Sequence, residues 1–173
     1  QGDFCRANHS ITHAHSVDER YYTKHSDDAK RRIISRYDKY ADYIFSLNPD
    51  LLSVLPKRAE FISYSSVDPR DYAETSDWPS RKLVIAHSPT HREVKGTKYI
   101  VSAIEKLKAQ GYDFEFRLIE GVSHSRALKA FDESDILIDQ LLTGWYGASA
   151  VEFMACAKPV ICYIRESDLA YLP

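Results

Sequence analysis

From residue 82 onward, short apolar runs alternate with segments whose apolar residues recur at helical spacing. Lys82-Leu-Val-Ile-Ala86 is short enough for a buried strand, and a polar loop follows over residues 87–96. Thr97 to Gln110 then places Ile100, Ile104 and Leu107 on one face of a helix, with Gly111 as its stop. Phe114 to Ile119 is a second strand, Ser125 to Glu133 a short helix and Asp135 to Asp139 a third strand. A loop covers Gln140 to Tyr146. A glycine turn there opens a short amphipathic helix, which a Lys158-Pro159 stop separates from a fourth strand, Val160 to Ile164. Strands and helices alternating through short connections predict an α/β fold, a Rossmann-like parallel sheet flanked by helices with right-handed crossovers. Ligands of such sheets bind beyond the carboxyl ends of the strands, so the loops at 87–96, 120–124 and 139–147 carry the functional potential.

The first third has a weaker pattern. Asp27 to Tyr43 reads as a helix, with Ile33, Ile34, Tyr37 and Tyr40 spaced for one face. Tyr43 to Leu47 reads as a strand, Asn48 to Leu55 as a short helix capped by Asn48 with Pro49 at its first position, and Phe61 to Tyr64 as another strand. Ser66 to Ser80 is polar, carries Pro69 and Pro79, and reads as a linker.

A chain of 173 residues suits one domain, or one domain and part of another. Hydrophobic residues make up 44% of it, enough for a core. A net charge of −2 gives no reason to expect nucleic acid as a partner. No apolar run approaches the roughly 20 residues of a membrane span, and the opening Gln1-Gly-Asp-Phe-Cys5-Arg is too polar for a signal peptide. The chain does not open on Met, as expected of a piece of a longer protein. Cys5, Cys156 and Cys162 have no metal-type spacing and suit a reducing, cytoplasmic setting, with peripheral attachment to a membrane left open.

Four sets of residues could carry chemistry. In Gly144-Trp-Tyr-Gly-Ala-Ser-Ala-Val-Glu152, the helix beginning at Gly147 and Ala148 offers backbone N–H groups to an anion, and Gly147 admits a close approach. Glu152, among apolar neighbours, would accept hydrogen bonds from sugar hydroxyls near that anion. Ser88-Pro-Thr-His-Arg-Glu-Val-Lys-Gly96 places Arg92 and Lys95 where they could neutralise a diphosphate, or it is simply a solvated loop. Trp145 and Tyr146 could stack on a sugar or pin their loop to the core. His9, His13 and His15, with His25 further on, could ligate a metal only on a stable helix, and their Ser/Thr-rich surroundings favour a surface reading, so no metal site is expected. His87, His91 and His124 lie on the loops of the functional edge as further contacts for phosphate or sugar. No Gly-x-Gly-x-x-Gly follows a strand, which argues against a dehydrogenase.

The stretch from Gly144 to Val160 resembles the donor-site signature of retaining glycosyltransferases of the GT-B architecture, in which two Rossmann-like domains face each other. Their pattern, Glu-Gly-Phe-Gly-x-x-x-x-Glu-Ala-x-Ala-x-Gly-x-Pro-Val, is matched at Gly147, Glu152, Ala155, Pro159 and Val160. It departs at Gly144, where the family has its first acid, and at Ala157, where it has a glycine. Lys95-Gly96 matches the family's Lys-Gly pair, Thr90 stands at the usual arginine position, and Arg92 lies close but out of register. Ala41 to Leu52 and Ser66-Val-Asp68 are similar to the family's passage from acceptor to donor domain, and the likeness covers about residues 27–173. A strand that many relatives have between the second and third is missing here.

The resemblance implies that residues 1–66 are the tail of an N-terminal acceptor domain, 67–80 a linker and 81–173 a truncated nucleotide-sugar-binding domain, with the rest of the acceptor domain upstream. It implies a glycosyltransferase of hexosyltransferase type that needs no cofactor or metal. The donor is a UDP-, GDP- or ADP-sugar, and the acceptor is a saccharide or other hydroxyl, as in polysaccharide biosynthesis. Lys95, Arg92, Gly147 and Ala148 would hold the donor phosphates and Glu152 the ribose. Asp139, Gln140, Trp145 and Tyr146 are candidate sugar contacts, the first two replacing those lost at Gly144; a strand-end Asp bonding its own loop is the alternative for Asp139. The catalytic residues are unassigned, and this chain alone is expected to bind donor and transfer little. A sugar-nucleotide epimerase and a non-catalytic nucleotide-sugar-binding module are the alternatives.

Overall fold

The computed structural model describes residues 24–64, 67–72 and 82–172. The chain divides into two compact units. Among the described residues, the first holds 24–64, 142–145 and 164–172, and the second holds 67–72, 82–141 and 146–163.

In the first unit, helix α1 spans Lys24–Asp38. The helical pattern predicts five further residues, but the helix stops because Arg58 collects its end. The guanidinium donates to the carbonyl oxygens of Asp38, Ala41 and Asp42 at 2.7–3.0 Å and to the Asp38 carboxylate at 2.9 Å. Terminal helix carbonyls lack intrahelical donors, and a distant cation satisfies them here. Strands β1, Phe45–Ser46, and β2, Glu60–Phe61, pair in parallel. A 3-10 helix over Pro49–Ser53 lies between them, preceded by Asn48 as expected, although the Asn48 side chain makes no capping bond. Phe61 meets the rings of Trp145 and Tyr171 edge-on at centroid distances of 5.7 and 5.1 Å. A 3-10 helix over Glu166–Tyr171, absent from the sequence pattern, is anchored by a two-pronged Arg165–Asp168 pair at 2.8 and 3.0 Å.

The second unit is a mixed α/β layer structure with a parallel sheet flanked by helices. Strands β3 (Leu83–His87), β4 (Phe114–Leu118), β5 (Ile136–Ile138) and β6 (Val160–Ile161) lie in the order β4-β3-β5-β6, all parallel. The helices between them are α2 (Arg92–Lys95), α3 (Thr97–Ala109), α4 (His124–Asp132) and α5 (Ala148–Ala155). Neighbouring residues of a strand point to opposite faces. Ile85 therefore packs with Ile100, Ile104 and Phe114 under α3, while Ala86 and Leu137 pack with Phe131 and Phe153 under α4 and α5. Each of the Ile, Leu and Phe side chains, once buried, contributes about 1.5–3 kcal/mol.

Two stops are worth noting. Gly111, just past α3, has φ 89°, the left-handed conformation that a glycine reaches without penalty. Ala157, just past α5, is held at φ 57° and pays that penalty. Lys158 beside it is buried and donates to the carbonyl oxygens of Phe131 and Asp132 at 3.1 and 2.5 Å, closing the end of α4. Among the described residues, no helix is long and apolar enough to cross a membrane.

Candidate functional site

The strand order defines where a ligand belongs. From β3 the chain moves to β4 on one side, then places β5 on the other side of β3. The winding reverses between β3 and β5, and the crevice outside the carboxyl ends of an open sheet lies at such a switch point. The loops leaving these two strands carry Lys95 and Asp139.

Lys95 ends the four-residue helix α2, where Gly96, at φ 78°, turns the chain into α3. The residue is only 9% exposed. Its Nζ lies 2.5 Å from Asp139 Oδ1, and Asp139 is 2% exposed. The other carboxylate oxygen, Oδ2, accepts the Gly147 N–H at 2.7 Å. Asp139 thus ties the Lys95 ammonium to the start of α5. The Lys95 carbonyl also accepts the Leu141 N–H at 3.1 Å, so backbone and side chain both join the two loops. Gly147 has φ −97°, which any residue adopts. Its glycine eases a close approach, since a Cβ would lie 3.0 Å from Lys95 Nζ and 3.1 Å from Asp139 Oδ2. The first amides of a helix have no intrahelical acceptor. Asp139 takes the one at Gly147, and the next residue, Ala148, is exposed at the helix start. The Lys95 and Asp139 charges offset each other, so the helix start itself, with its remaining amides, is the local feature that favours an anion.

His87, the last residue of β3, is fully buried beside this pair. Its Nδ1 lies 2.7 Å from the Ile138 carbonyl oxygen, and its Nε2 lies 2.8 Å from Thr97 Oγ1. A carbonyl can only accept, so Nδ1 carries the proton, and a neutral ring then accepts the Thr97 hydroxyl at Nε2. Burial pushes the imidazole pKa down, and the Lys95 charge adds to that, against the Ile138 carbonyl and the Asp139 and Glu120 carboxylates.

Lys95, Gly147 and Asp139 are brought together, with Ala148 adjoining. The other expected site residues are placed elsewhere. Arg92 is committed to Glu120 in a two-pronged pair at 2.8 and 2.5 Å, which holds the Glu120 carboxyl below its usual range. Asp139, expected at the sugar, has both oxygens engaged within the protein, close to the alternative of a strand-end acid bonding its own loop. Gln140 is buried. Trp145 is fully buried and packs on Phe61 in the first unit, and Tyr146 is buried in the second; both follow the packing reading rather than an open stacking surface. His91 faces Glu93 at 3.1 Å. His9, His13 and His15 lie outside the described residues, as does most of the expected linker. Among the described residues no three His, Cys, Asp or Glu side chains form a metal-sized group.

Glu152 stands apart from the lysine. Its Oε1 lies 2.7 Å from His124 Nε2, and it lines a cavity of about 320 Å³ with Leu128, Phe131, Cys156 and Tyr72. Burial raises the Tyr72 phenol pKa, and the Glu152 charge raises it further. Tyr72 has no motif around it, and only the fold brings it to Glu152. Thr97 was similarly hidden, as an ordinary helix-start threonine whose partner is ten residues away. Gly144 takes φ 72°, so the residue standing at the family's first acid serves a left-handed turn, and its carbonyl accepts the Arg165 N–H at 2.9 Å. Cys162 is no nucleophile at neutral pH, because burial pushes its thiol up to about 11. The sequence matches no family model and no curated protein.

Proposed function

We propose that the second unit is the nucleotide-sugar-binding domain of a GT-B glycosyltransferase, taking a UDP-, GDP- or ADP-sugar and serving transfer to a saccharide or other hydroxyl. The observation that carries this reading is the meeting of Lys95 with the α5 N-terminus at the switch point of a parallel sheet. An exposed helix start suits an anion, and Lys95 would add its charge to a leaving diphosphate to the extent that the phosphate takes the place of Asp139 as its partner. Glu152 lies five residues past Gly147, about 7.5 Å along the helix axis. That is the scale separating a distal phosphate from the ribose hydroxyls of a nucleoside diphosphate. The cavity beside Glu152, about 320 Å³, falls at the small end of ligand sites, about 300–1,000 Å³, and its Asp68, Asp71, Asp132 and Glu152 carboxylates suit hydroxyl groups such as a ribose's and not a phosphate. Arg92 forms an exposed pair with Glu120, and the reading does not depend on it.

Calorimetric titration of the chain with UDP, GDP and ADP tests the reading. One nucleotide should bind saturably, and Lys95→Ala and Glu152→Ala should each weaken it about tenfold or more, or 1.4 kcal/mol. Absence of binding by all three at millimolar concentration would overturn it.

A second reading, a nucleotide-sugar binder without transfer, is favoured by one observation. Gly144 supplies no carboxylate, and Asp139 is sealed in its ion pair. Following nucleotide-sugar consumption by the longest natural form of the protein, with acceptor saccharides present, separates the two readings.

A further inference from the structure

We propose that His87 is a positioning residue, whose two ring bonds hold the Lys95 ammonium in register with Asp139 and the start of α5. The imidazole joins three segments of the sheet's carboxyl edge. Its Nδ1–H donates to the carbonyl of Ile138, the residue immediately before Asp139, at 2.7 Å. Its Nε2 accepts from Thr97, two residues after Lys95, at 2.8 Å. The His87 backbone carbonyl accepts the Ile119 N–H at 2.9 Å, fixing the edge beyond β4. The ring is fully buried, so it touches no ligand itself; the expectation of a phosphate or sugar contact at His87 gives way to an indirect role. Few side chains could substitute. The position needs one donor and one acceptor on a rigid frame, which a neutral imidazole supplies and an ammonium or carboxylate does not. Without the Thr97 bond, the turn at Gly96 keeps its backbone bonds and the Lys95–Asp139 pair but loses its side-chain tie to β3, and Lys95 gains freedom to leave Asp139 and turn to water.

The importance of this strut for ligand binding rests on the reading of Lys95 and the α5 start as an anion site, but the strut itself can be tested without a ligand. In the full chain, reductive methylation by formaldehyde with a borohydride reductant, read residue by residue by mass spectrometry, reports lysine exposure. Thr97→Val keeps the side chain's shape and removes its hydroxyl. It should speed modification of Lys95 at least tenfold while Lys158, a second buried lysine remote from His87 in sequence, is unchanged. Thr97→Ser should restore the slow rate, and His87→Gln should lie between. An unchanged Lys95 rate overturns the proposal, and so does a parallel rise at Lys158, which would mean general loosening. A second arm titrates the nucleotide bound by the unmodified chain. Thr97→Val should weaken binding several-fold in the natural background and have no effect in Lys95→Ala; equal losses in both backgrounds count against action through Lys95. Should no nucleotide bind, the functional reading falls while methylation still decides the role of His87.

Discussion

At the scale of single residues, the two departures from the glycosyltransferase pattern have opposite physical consequences. Gly144 occupies a left-handed turn at φ 72°, a conformation a glutamate reaches only under strain. Ala157 occupies such a conformation at φ 57° with a Cβ in place. Ala157→Gly should therefore raise stability by about 0.5–1 kcal/mol, the left-handed penalty of about 1–2 kcal/mol less the chain entropy of glycine. Urea denaturation with an unchanged slope measures it, and a lower midpoint would contradict the account. Gly144 and Ala157 were visible in the sequence as mismatches, but their backbone conformations were not. A φ angle is imposed by how the chain must leave a helix or enter a turn, and residue type only records it.

Among the elements, α5 shows how a helix start becomes a site. Gly147→Ala tests the closeness of the elements that meet there. The backbone of Gly147 tolerates alanine, but the new methyl would press on Lys95 Nζ at 3.0 Å and Asp139 Oδ2 at 3.1 Å. Both atoms belong to a buried ion pair that must give by a few tenths of an ångström to admit the methyl, so the cost should be about 1 kcal/mol, the low end for overpacking. Denaturation gives that cost, and nucleotide affinity should fall with it. Elements were legible where periodicity was strong. The helix expected over Thr97–Gln110 is found at Thr97–Ala109, because its apolar face and Gly111 both act locally. Strands were overextended, as with Val160–Ile164, found at Val160–Ile161, because apolar character continues past the point where a neighbouring strand stops pairing. The end of α1 was misplaced because Arg58, 16 to 20 residues away, sets it.

For the molecule as a whole, buried polar groups link stability to pH. His87 is buried neutral with its pKa below the ordinary 6.5, so between the folded value and 6.5 the unfolded chain binds more protons. Stability from this group is complete above about pH 7 and is lost as the pH falls through 6.5. The charged groups that act on it are Lys95, which opposes protonation, and Asp139 and Glu120, which favour it. Unfolding free energy measured from pH 7.5 to 5 should decline, and His87→Gln should flatten that decline. A slope unaltered by the substitution would assign it to other groups.

The alternation of strands and helices and the loops at the sheet's carboxyl edge were determined by the sequence itself, because periodicity, helix stops and glycine turns act over a few residues. The tertiary structure alone decided the strand order and hence the switch point. It also chose the partners: Lys95 with Asp139, 44 residues on, Arg92 with Glu120 and Glu152 with His124, each 28 residues apart. Asp139, read from the sequence as a sugar contact or as a strand-end acid bonding its own loop, holds a cation and a helix start together. The reason is that burying a charge is costly unless a partner is within reach, and which partner is within reach depends on the packing of elements distant in sequence.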